Sequence, residues 1–228
     1  KLISHSIFHS QLPFCQLLLY DCLELFVQNK MSAGTCYLNI TRGVHARVPY
    51  VPKDIKPTIN ATVSLRKSVS KEEFAKGFTV LTHEDIRWSR CDIKSVLLAP
   101  SSLINQKAKD LGFNDAIFIR DGFVTEASFA NVFIVDENDV LITRAPDNFI
   151  LQGITRNRLI ELAKKNNIKV EERKFNLEEL LSAKEVFLTS SSLIIRPVVK
   201  VDEVLIAGGK VGKITRILND LYSGFLLN

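Results

Sequence analysis

The sequence AIFIRDGFVTEASFANVFIVDENDVLIT, residues 116–143, gives the clearest indication of the fold. It contains short runs of strand-forming residues, at 116–120, 131–135 and 140–143. The Asp121-Gly122 pair is typical of a hairpin turn, and the strand that continues through residues 124–125 ends at Glu126. Residues 136–139 (DEND) indicate a second turn. This stretch therefore predicts consecutive strands joined by turns.

On both sides of this stretch, apolar spacing predicts further elements. Strands are predicted at residues 35–41, 57–64, 78–81, 169–173, 185–189 and 194–201. Helices are predicted at residues 11–29, 102–111, 155–166, 177–182 and 210–225. Strands and helices are mixed without a regular βαβ alternation. We therefore predict an α+β fold with a largely antiparallel sheet rather than a doubly wound fold.

The length of 228 residues fits one large domain or two small ones. The polar, charged segment RKSVSKEEFAK, residues 66–76, is the best candidate for a linker. We predict a partial small α+β domain over residues 1–66, a linker over residues 67–71 and a large α+β domain over residues 72–228.

Composition excludes several classes of protein. Apolar residues at 46% and charged residues at 24% are ordinary globular values. The longest apolar stretch, residues 12–27, is interrupted by Gln16, Asp21 and Glu24, so we predict no membrane span. Nothing near the start of the sequence resembles a secretory signal. The net charge of +5 comes from scattered basic residues, so no nucleic-acid partner is predicted, and a basic nucleic-acid-binding module is kept as an alternative.

Cysteines and histidines do not indicate a metal site. The cysteines lack CxxC spacing, and the histidines do not pair with them at ligand spacing: Cys15, Cys22, Cys36, Cys91, His5, His9, His45 and His83. We therefore predict free thiols in a reducing cytosol, and no metal.

Two charged residues stand beside apolar runs. Lys94 precedes the run VLLA, residues 96–99, and burial there would lower the pKa of its ammonium group toward the neutral amine that forms a Schiff base. The same pattern also fits a surface lysine. Glu126 ends a strand beside small residues, where a carboxylate needs a cationic or donor partner unless it faces solvent.

Two further segments carry groups that bind anions. In QGITR, residues 152–156, a glycine turn leads into a helix whose first N–H groups are unsatisfied. A plain threonine cap is the alternative. The run TSSS, residues 189–192, follows an apolar strand and indicates either an ordinary turn or additional phosphate donors.

A lysine, a later acidic residue, the sequence GITR and a run of hydroxyl residues follow one another along the chain. This order resembles the fold-type IV pyridoxal-phosphate enzymes, which include D-amino-acid aminotransferases, branched-chain aminotransferases and aminodeoxychorismate lyases. The resemblance is greatest to the D-amino-acid (D-alanine) aminotransferases. Its motifs are IRWSRCDIKS (86–95), DGFVTEASFANVF (121–133), LQGITR (151–156), VFLTSSS (186–192) and GGKVGKITR (208–216). The fold expected from this resemblance is the two-domain fold of that family.

The resemblance implies roles for several residues. Lys94 matches the lysine that carries pyridoxal 5'-phosphate and then moves the proton between Cα and C4′ of the substrate–cofactor adduct. Glu126 matches the carboxylate that keeps the pyridine nitrogen protonated. Ile154 and Thr155 match the phosphate-binding helix N-terminus, and Ser191 matches a further hydroxyl donor.

The resemblance also implies which residue binds the substrate. Arg47 matches an arginine that reaches in from the second subunit of a homodimer to hold the substrate carboxylate. Two residues later, the family's histidine position holds Pro49. Family members carry several dozen residues before the region matched by Leu12, including a phosphate-binding arginine. We therefore expect an N-terminally truncated small domain.

The activity implied is a cytoplasmic transaminase that moves the amino group of a D-amino acid, D-alanine above all, to a 2-oxo acid such as 2-oxoglutarate. Within the same family the alternatives are an aminodeoxychorismate lyase and a branched-chain aminotransferase. From another class, the alternative is a truncated non-catalytic remnant or a fragment of a split enzyme.

Overall fold

The chain forms two units in the computed structural model, Lys1–Ser68 and Val69–Asn228. The structure describes residues 12–50, 52–65 and 69–227. The first residue of the predicted N-terminal helix, residues 67–68 of the predicted linker, and two of the four histidines lie outside these ranges. Among the described residues, no cluster of side chains suits a metal ion, and no helix combines the length and apolarity needed to cross a bilayer.

The first unit contains one helix and one hairpin. Its elements are α1 (Leu12–Gln28), β1 (Thr35–Thr41) and β2 (Thr58–Ser64). The two strands pair antiparallel, with Thr35 opposite Ser64 and Thr41 opposite Thr58. All three elements match the predicted ranges closely, because their apolar spacing and β-branched residues agree with the structure they form.

The second unit contains nine strands and five helices within residues 69–227. The strands are β3 (Phe78–Glu84), β4 (Asp115–Arg120), β5 (Phe123–Ala127), β6 (Asn131–Val135), β7 (Leu141–Thr143), β8 (Val170–Glu172), β9 (Glu185–Ser190), β10 (Ile194–Val201) and β11 (Val204–Leu205). The helices are α2 (Lys71–Lys76), α3 (Ala99–Asp110), α4 (Ile154–Lys165), α5 (Leu177–Ser182) and α6 (Lys213–Leu227). A short 3-10 helix, Ile206–Gly209, precedes α6.

Helix α2 lies in the polar segment that the sequence indicates as a linker. A capping box explains why this charged segment is helical. The Ser70 hydroxyl accepts a hydrogen bond from the Glu73 N–H at 3.0 Å, and the Glu73 carboxylate accepts one from the Ser70 N–H at 3.1 Å. The polarity of residues 71–76 therefore reflects a short solvated helix.

The strands of the second unit form one mixed sheet in the order β5-β4-β3-β10-β9-β6-β7-β8, with β11 added to β10. The β3–β4, β3–β10 and β7–β8 pairs are parallel, and the other strand pairs are antiparallel. The α+β class with a largely antiparallel sheet is therefore confirmed. The predicted hairpin turn is also present, with φ of 52° at Asp121 and 78° at Gly122.

The sheet curls until its two ends meet. Phe123, in the strand at one end, forms an antiparallel bridge with Asn176, which follows the strand at the other end. The Val124 N–H donates to the Phe175 carbonyl at 3.0 Å. Phe175 is fully buried in the core that the curled sheet encloses. Because the ends of the sheet meet, the edge N–H of Val124 has a partner. The closed sheet surrounds one apolar core.

Strand β6 shows why the apolar runs are continuous. Val132 and Ile134 face the enclosed core, whereas Phe133 and Val135 face a second core beneath α4 and α6. The Phe133 ring stacks on Phe187 of the neighbouring strand, with centroids 5.0 Å apart. A strand covered on both faces needs apolar residues at every position, and the continuous run NVFIV meets that need.

Candidate active site

Glu126 lies near the end of β5 and is only 7% exposed. Its Oε1 accepts hydrogen bonds from Asn131 Nδ2 at 2.9 Å and from the Leu151 N–H at 2.8 Å. Its Oε2 accepts one from Arg87 Nη1 at 2.7 Å. The cationic and donor partners that the sequence required for a buried carboxylate are therefore present, and the alternative of a solvent-facing glutamate is wrong.

Two opposing effects act on the Glu126 carboxyl group. Burial raises its pKa to about 7, while the charge and hydrogen bond of Arg87 act to lower it. An ionised carboxylate has roughly four acceptor positions. The described donors occupy three of them, which leaves one position on Oε2 for a further donor. The group is thus poised to receive a cationic N–H.

Arg87 was not identified from the sequence. It follows β3 and forms a two-pronged ion pair with Asp85, from Nε to Oδ1 and from Nη2 to Oδ2, both at 2.9 Å. Burial acts to raise the pKa of Asp85, but the hydrogen bonds and charge of Arg87 hold that pKa below its usual value. The guanidinium group also lies over the Phe118 ring, 4.9 Å from its centroid. Arg87 lies within the IRWSRCDIKS motif, but the motif alone indicated no role for it, and an acid and an arginine two residues apart are common on surfaces.

Asn131, at the start of β6, joins Glu126 to the turn before α4. Besides its bond to Glu126, its Nδ2 donates to the Leu151 carbonyl at 2.8 Å. A Cβ at Gly153 would lie 2.3 Å from Asn131 Oδ1, so only glycine lets this turn approach so closely. Asn131 lies within the DGFVTEASFANVF motif, but the motif alone indicated no role for it.

Helix α4 begins without a side-chain cap. Gly153 is its N-cap residue, and no side chain in the described ranges caps the helix there, whereas α2 and α5 both carry capping boxes. The first N–H groups of α4 therefore remain available to an anion. Thr155 is buried within the first turn and Ile154 is exposed, so the alternative of a threonine cap is wrong.

The hydroxyl run lies beside Asn131 on the adjacent strand. Thr189 is directly opposite Asn131 in the β6–β9 ladder, and its buried Oγ1 has no hydrogen-bond partner among the described residues. Ser190 Oγ accepts from the Leu193 N–H at 3.1 Å and closes the turn that contains the exposed Ser191. The run is therefore a turn that also holds one unpartnered hydroxyl next to the Glu126 network.

Lys94 is exposed, which agrees with the surface alternative and not with burial beside the apolar run. The residues expected to cover it are themselves exposed, Val96 at 94% and Leu97 at 52%. Lys94 forms no hydrogen bond or ion pair within the described ranges. Three residues earlier, however, the Cys91 N–H donates to the Asn148 carbonyl at 2.8 Å. The loop that reaches Glu126 through Leu151 therefore also anchors the lysine segment.

Arg47 belongs to the first unit. It is exposed in an irregular segment after β1.

The residues of the second unit fit pyridoxal phosphate. The open acceptor position on Glu126 matches a protonated pyridine nitrogen, and the uncapped first turn of α4 matches a phosphate group. The unpartnered hydroxyl of Thr189 belongs to the residue opposite Asn131 on the adjacent strand, and Asn131 bonds both Glu126 and the turn before α4. The acceptor position, the uncapped helix end and the unpartnered hydroxyl are all formed by described residues of the second unit.

Comparison with known proteins agrees with this geometry. The family model described as Amino-transferase class IV matches residues 7–201. A D-alanine aminotransferase of Listeria monocytogenes serotype 1/2a is 40% identical over 214 residues, which cover 92% of this chain and 74% of that protein. Two solved structures share the fold. The branched-chain aminotransferase of Escherichia coli has a TM-score of 0.84 at 23% identity, covering 92% of this chain and 71% of that one.

The second structure is the branched-chain aminotransferase of Thermobaculum terrenum in its PLP-bound holo form. It has a TM-score of 0.73 at 26% identity, covering 84% of this chain and 64% of that one. The chain belongs to the class IV aminotransferases, a family of pyridoxal-phosphate-dependent enzymes. The family predicted from the five motifs is therefore confirmed.

Proposed function

We propose that this chain transfers the amino group of a D-amino acid, D-alanine above all, to a 2-oxo acid such as 2-oxoglutarate. The observation that carries the chemistry is the buried Glu126 carboxylate with one acceptor position left open. The similarity to a D-alanine aminotransferase supports the choice of substrate.

The cofactor would be pyridoxal 5'-phosphate, which supplies an electron sink for the negative charge that develops on the substrate Cα. Glu126 would accept a hydrogen bond from the pyridine N–H. The first-turn N–H groups at Ile154 and Thr155 would hold the phosphate, and the hydroxyl groups of Thr155 and Ser191 would add donors.

Lys94 and the substrate side complete the proposal. The exposed amine of Lys94 is accessible to the aldehyde of the cofactor and would afterwards move the proton at Cα. Arg47 of the partner subunit would hold the substrate carboxylate. We further propose a cytoplasmic homodimer, in line with the resemblance from which these roles derive.

The test is steady-state transfer in the presence of pyridoxal phosphate, with pyruvate and glutamate measured from D-alanine and 2-oxoglutarate. We expect Lys94→Ala to abolish both products without unfolding the protein, because its side chain is exposed and unpaired in the described structure. Lys109→Ala, which removes another exposed lysine, is the matched control and should retain activity.

Three outcomes would overturn the proposal. The first is a wild-type protein that produces no glutamate from D-alanine. The second is a Lys94→Ala variant as active as the Lys109→Ala control. The third is formation of pyruvate and an aromatic amine from aminodeoxychorismate in preference to amino transfer, which would identify a lyase.

A further inference from the structure

We propose that Arg87, clamped by Asp85, is a positioning residue that favours the ionised form of Glu126 against the effect of burial. The inference rests on the proposed role of Glu126 toward the pyridine nitrogen. It concerns a contact between residues that are 39 positions apart in the chain and that the sequence motifs did not connect.

The geometry of Arg87 is that of a bridge between two carboxylates. Its Nε and Nη2 bond Asp85, and its Nη1 bonds Glu126 at 2.7 Å. The Arg87 side chain is 9% exposed, the Asp85 side chain 0% and the Glu126 side chain 9%. Contacts between charges in such a water-poor site are screened far less than on a surface.

The position of the guanidinium group is fixed from several sides. Arg87 Nη2 also donates to Thr125 Oγ1 at 3.2 Å and to the Phe149 carbonyl at 3.0 Å. The Thr125 hydroxyl donates to Asp85 Oδ2 at 2.8 Å. With Nε and Nη2 used in this way, Nη1 is directed to Glu126. Asp85 therefore acts on Glu126 through Arg87 by setting the direction of the donor.

A second arginine balances the charge of Asp85. Arg120 on β4 has its Nη2 3.3 Å from Asp85 Oδ1, and the same nitrogen donates to the carbonyls of Asp85 and Arg87. The buried cluster thus contains two arginines and two carboxylates. Because Arg120 compensates part of the Asp85 charge, the charge of Arg87 remains available to Glu126.

The electrostatic consequence is specific to Glu126. Burial works to keep this carboxyl protonated and raises its pKa to about 7, and the charge of Arg87 is the largest opposing effect. Asp85 adds a smaller repulsion that raises the pKa further. A protonated carboxyl group cannot keep a proton on a pyridine nitrogen, so loss of Arg87 would disable Glu126 without removing it.

The test follows the Glu126 carboxyl carbon by ¹³C NMR in cofactor-free protein labelled at the glutamate side-chain carboxyl, with the signal assigned by Glu126→Gln. We expect Arg87→Met to raise the pKa of Glu126 by roughly one to three units. Arg87→Lys keeps the charge, but one ammonium group cannot bridge both carboxylates in the same way, so we expect a smaller rise.

Arg90→Met is the matched control. Arg90 lies three residues further along the same segment, is exposed and pairs with Asp92 at 2.9 Å. Its removal should leave the Glu126 titration unchanged. The proposal would be overturned by a folded Arg87→Met protein in which Glu126 titrates as in the wild type. If that variant does not fold, an unchanged or lowered pKa in Arg87→Lys would overturn it.

The loaded enzyme provides a second readout. We expect Arg87→Lys to lower kcat for D-alanine while KM changes little, because Arg87 acts on the electron sink and not on substrate binding. Failure of the proposed function would appear as wild-type protein without transfer activity. Failure of the present inference would appear in the cofactor-free NMR titration, so the two can be distinguished.

Discussion

At the residue scale, the site depends on a buried carboxylate whose partners come from three different parts of the chain. Glu126 bonds Arg87 before it, Asn131 just after it and the Leu151 N–H further on. Each partner stabilises the ionised form, whereas burial opposes it. The pH dependence of folding should therefore carry the signature of this one residue.

The first prediction concerns stability against pH. The folded pKa of Glu126 is about 7 and its ordinary value is 4.5, so between these values the folded state binds a proton that the unfolded state has lost. The contribution of Glu126 to stability is full below pH 4.5 and is lost as the pH rises through 7, an effect on the order of 3 kcal/mol. Glu126→Gln should lack this component.

Urea unfolding of the wild type and Glu126→Gln at pH 5 and pH 8 measures this pH-dependent contribution to the free energy of unfolding. The stability of the wild type relative to the variant should be greater at pH 5 than at pH 8. Glu203→Gln, which removes an exposed carboxylate, is the control for the loss of one surface charge. A wild-type advantage that is constant or grows with pH would contradict the assignment.

The sequence predicted the site at this scale only in part. The strand pattern raised Glu126 as a candidate that needs a partner if it is buried, because a buried carboxylate without a donor is costly. Its role came from the family resemblance. Arg87 and Leu151 are 39 and 25 residues away from it, and local periodicity contains no information about such contacts. For Lys94 the apolar run after it left burial and surface exposure both open, and in the structure that run is itself exposed.

At the element scale, two helices that pack over the same core on one face of the sheet, α4 and α6, begin in opposite ways. The N-terminus of α4 is left without a side-chain cap in the described structure, whereas a buried glutamate from β9 caps α6. Glu185 accepts from the Ile214 N–H at 2.9 Å and from both the N–H and the hydroxyl of Thr215 at 2.7 Å. Of these two helices, the one that begins beside Asn131 therefore keeps its first N–H groups open to an anion.

The second prediction concerns the turn before α4. Gly153→Ala adds a Cβ that would lie 2.3 Å from Asn131 Oδ1, so Asn131 must move and its bond to Glu126 must weaken. We expect the affinity for pyridoxal phosphate, measured by fluorescence titration, to fall by about tenfold or more, equivalent to losing roughly one hydrogen bond to a charged group.

Gly224→Ala is the matched control for this substitution. A Cβ at Gly224 meets no atom within 4 Å, and alanine favours the helix in which it lies. Its cofactor affinity should equal that of the wild type. Equal affinities in Gly153→Ala and the wild type would contradict the role assigned to Asn131.

The third prediction concerns the cap of α6. Glu185→Ala leaves three buried donors without an acceptor, and we expect the free energy of unfolding to fall by about 3 kcal/mol. Glu185→Gln retains one acceptor oxygen and should lose less. Chemical denaturation checks both, with Glu203→Ala as an exposed control. Equal losses for the alanine and glutamine variants would show that the cap is not the source of the effect.

At the scale of the whole molecule, the sheet is held together by contacts between distant parts of the chain. Strand β3 pairs with β10, more than a hundred residues later, and the ends of the sheet meet at Phe123 and Asn176. The sequence predicted most strands with good boundaries, because each has its own periodicity. The order of the strands and the closure of the sheet depend on how the segments together bury both faces of the sheet. The sequence of a single segment does not specify either feature.

The fourth prediction concerns this closure. Phe175 is fully buried where the ends of the sheet meet, and Phe175→Ala should lower the free energy of unfolding by roughly 3–5 kcal/mol. Thermal unfolding followed by circular dichroism measures the loss. Phe129→Ala removes a ring that is 49% exposed and should cost much less. A similar small loss in both variants would mean that the closure is not essential to the core.

A single turnover without an added 2-oxo acid acceptor shows whether this chain is a D-amino-acid aminotransferase. Protein loaded with pyridoxal phosphate is mixed with D-alanine, L-alanine or L-valine, and the 2-oxo acid released per bound cofactor is counted. We predict about one pyruvate per site from D-alanine, little product from either L-amino acid, and none from Lys94→Ala. No pyruvate from D-alanine, or equal release from D-alanine and L-alanine, would contradict assignment of this chain as a D-amino-acid aminotransferase.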